Sequence, residues 1–163
     1  MISKMIDKKI KMEGKTSDKL KAFEKLGLSD EVRSVLAEQG FEKPSEIQEK
    51  GIPIVLSGKD IIGGSATGSG KTLVFASSII ENAKPRENIQ ALVLTPTREL
   101  AEQVSKSINE FAKNKNLKSV AVYGGVSIFN QIKAIPRSEI VVGTPGRILD
   151  HLNRKTLRLD SVK

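Results

Sequence analysis

The sequence contains no cysteine and no tryptophan, and it has a single tyrosine and a single histidine. The lack of cysteine excludes disulfide bonds, thiolate metal sites and cysteine nucleophiles. With so few aromatic side chains, no aromatic platform for stacking single-stranded bases can be recognised. No apolar run approaches the roughly 20 residues that cross a bilayer, and none follows the first lysines as a secretory signal would require. We therefore expect a soluble, cytoplasmic protein with no membrane partner.

Positive charge is abundant. The formal net charge is +8 and the sequence pI is about 9.7. Such a balance favours a polyanionic partner such as nucleic acid, although many small soluble domains are also basic. The length of 163 residues fits about one domain. Residues 1–19 are rich in lysine and lack hydrophobic periodicity, which predicts a flexible tail.

The most informative stretch is residues 65–72, Ser-Ala-Thr-Gly-Ser-Gly-Lys-Thr. The residues before it, 60–64, read as a buried strand, and those after it, 73–80, as a helix. A strand, a glycine-rich turn and a helix N-terminus form a phosphate-binding P-loop, in which backbone N–H groups surround the anion. Lys71 can reach the β- and γ-phosphates and Thr72 can ligate Mg²⁺. Ser65 stands where the strict pattern has glycine, so the alternative is a surface turn with an incidental lysine.

The rest of the chain alternates predicted strands and helices. Residues 91–94, 119–123 and 139–143 are apolar runs typical of parallel strands, and the segments between them have helical periodicity. This predicts an α/β fold with a parallel sheet flanked by helices, whose polar loops follow the carboxyl ends of the strands.

Several helix signals are specific. Ser29 is a candidate N-cap, Gly40 a helix terminator, and Ser45 with Gln48 a capping box. A short helix is expected at about residues 53–56. Thr97 caps a helix whose predicted inward side chains are Leu100, Val104, Ile108 and Phe111, and Pro145 begins another helix.

Taken in order, these motifs resemble those of the DEAD-box ATP-dependent RNA helicases, over about residues 20–163. Phe23 looks like that family's isolated upstream aromatic, and residues 40–48 look like its Q motif. Residues 65–72 resemble motif I, 96–101 motif Ia, 124–125 the double glycine and 144–147 motif Ib. The resemblance implies an N-terminal P-loop NTPase domain of RecA-like fold. Its divisions would be the tail at 1–19, a Q-motif region at 20–50 and a partial ATP-binding domain at 51–163.

The resemblance also implies roles for individual residues, with ATP and Mg²⁺ as cofactors and single-stranded or duplex RNA as partner. Gln48 would pair with the adenine edge and Phe41 would pack beside the ring. Lys71 and Thr72 would act catalytically at the phosphates, with Thr72 as the metal ligand. The remaining phosphate-loop residues would be Ser65, Ala66, Thr67, Gly68, Ser69 and Gly70. The RNA backbone would be contacted by Thr97, Arg98, Gly124, Gly125, Thr144, Gly146 and Arg147.

Each role has a structural alternative. Gln48 can serve only as a capping residue, Arg98 can pair with Glu102, and Arg147 can pair with Asp150. His151 lies in an ordinary helical pattern, for which we expect no catalytic role.

The family's Asp-Glu-Ala-Asp tetrapeptide does not occur in the sequence, so we expect an incomplete sheet at the C-terminal end. Phosphoryl transfer needs positioned metal, water and charge, so we expect the 163-residue chain neither to hydrolyse ATP efficiently nor to unwind RNA. A non-catalytic nucleotide- or RNA-binding module is the second hypothesis. An unrelated P-loop NTPase is the third.

Overall fold

The computed structural model describes residues 21–162. The predicted tail at residues 1–19 lies outside the described residues. The chain divides into two compact units, the first ending at Ser78 and the second beginning at Ile79.

The described part of the first unit is helical. A helical turn at residues 21–24 precedes α1 (Asp30–Glu38), α2 (Glu46–Leu56) and α3 (Lys71–Asn82), the last of which continues past Ser78. Ser29 occupies the N-cap position of α1, and Gly40 adopts a φ of +78° just after the helix ends, as predicted. The core of this unit includes the fully buried Phe23 together with Leu28, Val32, Val35, Leu36, Ile52 and Leu73.

Helix α2 is longer than the sequence pattern suggested. It begins at Glu46 and carries Pro53 in its interior, so a helix at residues 53–56 is confirmed, but its predicted start and short length were wrong. The capping box at Ser45 and Gln48 is confirmed, and it begins the helix well before Pro53. An interior proline removes one helical hydrogen bond, and burial of Ile52 and Val55 on either side offsets that cost. Gly51 permits close packing on α3, since a Cβ there would lie 2.6 Å from Val74 Cγ1.

The predicted strand at residues 60–64 is wrong. These residues are exposed and belong to no sheet, and Ile62 has a relative exposure of 105%. A β-strand exists only through hydrogen bonds to a neighbouring strand, and none of the described residues supplies such a partner. A run of apolar residues indicated burial here, but burial of a strand depends on what lies beside it.

The second unit is a parallel α/β layer. Its strands are β1 (Ala91–Leu94), β2 (Ser119–Val122) and β3 (Ile140–Gly143), in the order β1-β3-β2 and all parallel. Ala91 and Ser119 both pair with Ile140, which sets the register on the two sides of β3. The central strand β3 is buried along its whole length, as its continuous apolar sequence predicts.

Three helices accompany these strands: α4 (Arg98–Phe111), α5 (Ile128–Ala134) and α6 (Pro145–Asn153). Thr97 caps α4 as predicted, its side chain accepting the Leu100 N–H at 3.2 Å. Leu100 was predicted to face inward, but this is wrong: its exposure is 38%, and the neighbouring Ala101 is buried instead. One residue is 100° around a helix, so Ala101, Val104 and Ile108 form the true buried face.

Candidate nucleotide and nucleic-acid sites

The P-loop residues lie at the start of α3. Gly68 and Gly70 have φ values of +80° and +86°, a left-handed conformation that glycine adopts without the steric penalty of a Cβ. Residues 65–68 are exposed, and helix α3 begins at Lys71. The Lys71 ammonium donates to the carbonyl oxygens of Ser65 at 2.5 Å and Ala66 at 2.8 Å. The loop therefore folds back around its own lysine, at a helix N-terminus that carries partial positive charge.

Gln48 joins the start of α2 to this loop. Its side-chain oxygen accepts the Ser45 N–H at 2.9 Å, which is the capping bond expected from the sequence. Its Nε2 donates to the Gly70 carbonyl at 3.3 Å, and Gln48 is only 2% exposed. A second contact runs parallel to it, since the Ser45 hydroxyl donates to the Ser69 carbonyl at 2.7 Å. The Gln48 side chain therefore both caps α2 and contacts the P-loop.

The two bonds of Gln48 leave part of its amide unused. A primary amide has two N–H donors and an oxygen with two lone pairs. One donor is directed to Gly70 and one lone pair to Ser45, so one of each remains.

Phe41 packs against Phe23, which is fully buried. Their ring centroids are 6.3 Å apart and the ring planes meet at 78°, an edge-to-face contact. Phe41 itself is half-buried, so part of its surface faces outward. Phe23 therefore acts as the support of Phe41.

The second unit gathers three of the predicted motifs at one edge. Residues 95–98 follow β1, residues 124–125 follow β2 and residues 144–147 follow β3. The carboxyl ends of parallel strands meet at the same edge, and backbone bonds tie the loops together there. Thr95 N donates to the Gly143 carbonyl and Thr144 N to the Val122 carbonyl, each at 2.9 Å. The exposed predicted residues at this edge are Thr97, Arg98, Gly124, Gly125 and Gly146, with Thr144 half-buried.

Arg98 lies beside the double glycine. A Cβ on Gly125 would be 3.4 Å from Arg98 Nη1. The partner of Arg98 is Glu99 (Nε to Oε1 2.6 Å) rather than the Glu102 that helical spacing suggested. Hydrogen bonding to Glu99 raises the pKa of Arg98, and the same contact lowers the pKa of Glu99. Glu102 instead accepts from the Tyr123 hydroxyl, which raises the pKa of Tyr123.

Arg147 is mostly enclosed, with its side chain 14% exposed. Its Nη1 and Nη2 each donate to the Val126 carbonyl at 3.2 Å, and Nη1 also reaches Gln131 Oε1 at 3.2 Å. The expected partner Asp150 is present but more distant, at 3.9 Å from Nε. The main partners of Arg147 therefore lie in the segment that follows the double glycine.

Sequence reasoning missed the buried Gln131 and gave no indication that it would contact His151. Gln131 is 6% exposed, and His151 is fully buried with its Nε2 at 3.0 Å from Gln131 Oε1. Desolvation lowers the pKa of His151, and the positive charge of Arg147 adds to the effect. The polar pattern of α5 gave no signal for Gln131, because its burial depends on residues distant in sequence.

Within residues 21–162, no group of three or more His, Asp or Glu side chains is arranged to hold a metal ion. None of the helices in that range is long and apolar enough to cross a bilayer.

Comparison with known proteins agrees with this geometry. The sequence model of the DEAD/DEAH box helicase family matches residues 45–163. The chain is 51% identical over 142 residues to the probable ATP-dependent RNA helicase MJ0669 of Methanocaldococcus jannaschii, covering 86% of this chain and 39% of that protein. It is 46% identical over 142 residues to the RNA helicase CrhR of Synechocystis, covering 86% of this chain and 29% of that protein.

Solved structures give the same result. The crystal structure of a DEAD box protein from Methanococcus jannaschii matches with a TM-score of 0.82 and 50% identity, over 87% of this chain and 39% of that one. Saccharomyces cerevisiae Dbp5 bound to RNA and ADP BeF3 matches with a TM-score of 0.79 and 33% identity, over 87% and 36% of the two chains.

The fold is thus that of a RecA-like α/β domain with a P-loop. The chain belongs to the DEAD/DEAH box helicase family. It spans 39% of the length of the Methanocaldococcus jannaschii helicase and 29% of the length of the Synechocystis helicase.

Proposed function

We propose that this chain is the ATP-binding and RNA-backbone-binding portion of an ATP-dependent RNA helicase. The observation that carries the proposal is Gln48, which contacts Gly70 of the P-loop while one donor and one acceptor of its amide stay unused. A residue suited to reading a base is thereby fastened to a loop suited to holding phosphates.

In the nucleotide-bound state, the backbone of residues 67–72 would surround the phosphates. Left-handed Gly68 and Gly70 supply the turn that such a cradle requires. The Lys71 ammonium would leave the Ser65 and Ala66 carbonyls for the β- and γ-phosphates. The Thr72 hydroxyl, on the first turn of α3, would be the protein ligand of Mg²⁺, which typically keeps several waters and uses phosphate oxygens besides.

We propose that RNA binds at the edge formed by the loops after the three strands. Exposed Thr97 and Arg98, the uncovered backbone of Gly124, Gly125 and Gly146, and half-buried Thr144 suit contacts with phosphate and sugar oxygens. Such contacts carry no base information, so binding would be independent of sequence. Arg98 would exchange its Glu99 partner for a phosphate. Arg147, with most of its donors already used, would contribute less direct contact than Arg98.

A nucleotide titration tests the first part of the proposal. Wild type should bind a fluorescent ATP analogue in the presence of Mg²⁺, and Lys71→Ala should weaken that binding by at least about tenfold, because an ion pair with phosphate is lost. The control is Lys59→Ala, which removes an exposed lysine outside residues 65–72. Equal affinity of wild type and Lys71→Ala would contradict the proposal.

RNA binding is tested by its salt dependence. If two or three phosphates are neutralised, log K should fall with log salt at a slope of about −1.4 to −2 for single-stranded RNA. A much steeper slope would assign binding to the lysine-rich residues 1–19 instead. Repeating the titration with Arg98→Ala should reduce the magnitude of the slope by about 0.7, the contribution of one phosphate contact.

ATP hydrolysis by the chain alone is a separate question from ATP binding. No Asp-Glu-Ala-Asp tetrapeptide occurs in the 163 residues, so for the chain alone we propose binding without efficient hydrolysis. Under this second candidate function, the chain is a non-catalytic nucleotide- or RNA-binding module. A multiple-turnover, RNA-stimulated phosphate-release signal from the purified chain would exclude it.

A further inference from the structure

Gln131 is a buried residue at the centre of several polar contacts. It lies on α5, outside every motif that the sequence indicated. Its Nε2 donates to the Tyr123 carbonyl at 2.9 Å, the position directly before the double glycine. Its Oε1 faces two donors on α6, Arg147 Nη1 at 3.2 Å and His151 Nε2 at 3.0 Å.

These contacts determine which proton His151 directs at Gln131. The Gln131 side-chain oxygen can only accept, so the proton must reside on His151 Nε2. The other ring nitrogen, Nδ1, is 2.8 Å from Thr156 Oγ1 on the opposite side. The imidazole thus has a partner at each nitrogen although it is fully buried.

The same group of residues constrains the loop after β2. Tyr123 is held by Gln131 on one side of the double glycine, and Val126 is held by Arg147 on the other. Gly125 itself has a φ of +85° and contributes no side chain to anchor the loop. The order of Gly124 and Gly125 therefore depends on the residues that fasten their flanks.

We propose that Gln131 and His151 are positioning residues that preorganise the double-glycine loop and Arg147 for RNA phosphate contact. The RNA part of this inference rests on the proposed function of the strand-end loops. A loop that is already ordered loses less conformational freedom on binding, so preorganisation appears as affinity. Neither side chain needs to contact RNA for this effect.

The test uses Gln131→Met in the full chain, which keeps the side-chain length and removes its hydrogen bonds. The probe is a labelled ten-nucleotide oligouridylate, followed by fluorescence anisotropy. We expect RNA binding to weaken about fivefold to tenfold. The reason is that the loop order lost corresponds in free energy to about one net hydrogen bond. ATP-analogue affinity should stay within about twofold of wild type, since Gln131 lies outside the P-loop unit.

The matched control is Gln90→Met. Gln90 is equally buried at 6%, in the same unit, and its side chain bonds to both the N–H and the carbonyl of Lys84. It lies just before β1, at the amino end of the strands. Its loss should reduce the free energy of unfolding as Gln131→Met does, while RNA affinity stays within about twofold of wild type. If Gln131→Met and Gln90→Met weaken RNA binding equally, the positioning role is refuted.

A second readout does not depend on RNA. Backbone ¹⁵N order parameters of Gly125 and Val126 should fall from the rigid value of about 0.85 towards 0.6 in Gln131→Met. Unchanged order parameters would overturn the inference, whereas failure of wild type to bind RNA would overturn the proposed function and the RNA part of the inference but not the ordering of the loop. Should Gln131→Met not fold, Gln131→Asn keeps the amide but is too short to bridge Tyr123 and His151. It should produce the same loss of loop order, and normal loop order in that variant would equally contradict the inference.

Discussion

Gly70 offers a direct measure of the contact between Gln48 and the P-loop. A Cβ at position 70 would lie 2.2 Å from Gln48 Nε2, so Gly70→Ala must displace that side chain. The φ of +86° adds the left-handed penalty of about 1–2 kcal/mol for a residue with a Cβ. Displacement of Gln48 removes its bonds to Gly70 and Ser45, each of which contributes about 0.5–1.5 kcal/mol. The expected loss of unfolding free energy is about 2–5 kcal/mol.

The control for this substitution is two residues away. Gly68 has a similar φ of +80°, and a Cβ there would meet nothing within 4 Å. Gly68→Ala should therefore cost only the backbone part, about 1–2 kcal/mol. The difference between the two variants, about 1–3 kcal/mol, is the contribution of the Gln48 contacts. Urea unfolding followed by circular dichroism measures both.

A double-mutant cycle completes the experiment. In a Gln48→Ala background, the steric conflict at position 70 is gone, so Gly70→Ala should cost no more than Gly68→Ala. The reasoning is refuted if the two glycine substitutions have equal cost in the wild-type background. It is also refuted if the excess cost at position 70 survives the removal of Gln48.

Three further predictions concern packing, pH and turnover. Gly143→Ala should cost about 3 kcal/mol or more, because its Cβ would be 2.4 Å from the Val122 carbonyl oxygen of the neighbouring strand; Gly146→Ala, with open space around it, should leave thermal stability nearly unchanged. Burial lowers the pKa of His151 below its ordinary 6.5, so the folded state binds this proton less readily than the unfolded state does. The free energy of unfolding should therefore be highest above pH 6.5 and decline on acidification towards the folded-state pKa. That decline, at most about 1.4 kcal/mol per pH unit, should vanish from urea unfolding curves between pH 7.5 and 5.5 in His151→Gln, and an identical pH dependence of both proteins would contradict it. The purified chain should show no RNA-stimulated release of phosphate from ATP over many turnovers, and sustained release in a coupled assay would show that hydrolysis needs fewer groups than we infer.

Local signals in the sequence predicted much of the fold. The apolar runs of β1 and β3 correspond to strands, the Thr97 cap and the Gly40 terminator are where they were expected, and the double glycine follows β2. These features depend on the chemistry of a few neighbouring residues, such as a hydroxyl that accepts an N–H or a glycine that adopts positive φ.

The errors came from features that depend on distant residues. The run at 60–64 has the composition of a strand but no strand beside it, and Leu100 has the character of a core residue but is turned 100° from Ala101. The burial and contacts of Gln131 could not be predicted for the same reason. Its role is defined by Tyr123, Arg147 and His151, which the chain brings together only on folding.

The buried Glu139 is a further example. Its two carboxylate oxygens accept the backbone N–H groups of Arg86 and Lys118, each at 2.8 Å. Glu139 precedes β3, so it fastens the amino end of the sheet, opposite the predicted RNA edge. A glutamate in an apolar stretch gave no indication of this bridge, because both partners are main-chain groups of other loops.

The most direct test of the central claim is the adenine preference of the nucleotide site and its dependence on Gln48. Affinities of ATP and GTP are measured by competition against one fluorescent ATP analogue, for wild type and for Gln48→Ala. The account predicts that wild type prefers ATP by at least about tenfold and that Gln48→Ala reduces this ratio towards one, because the paired donor and acceptor of the amide are lost. Equal affinity of wild type for the two nucleotides, or an ATP preference that Gln48→Ala leaves intact, would contradict it.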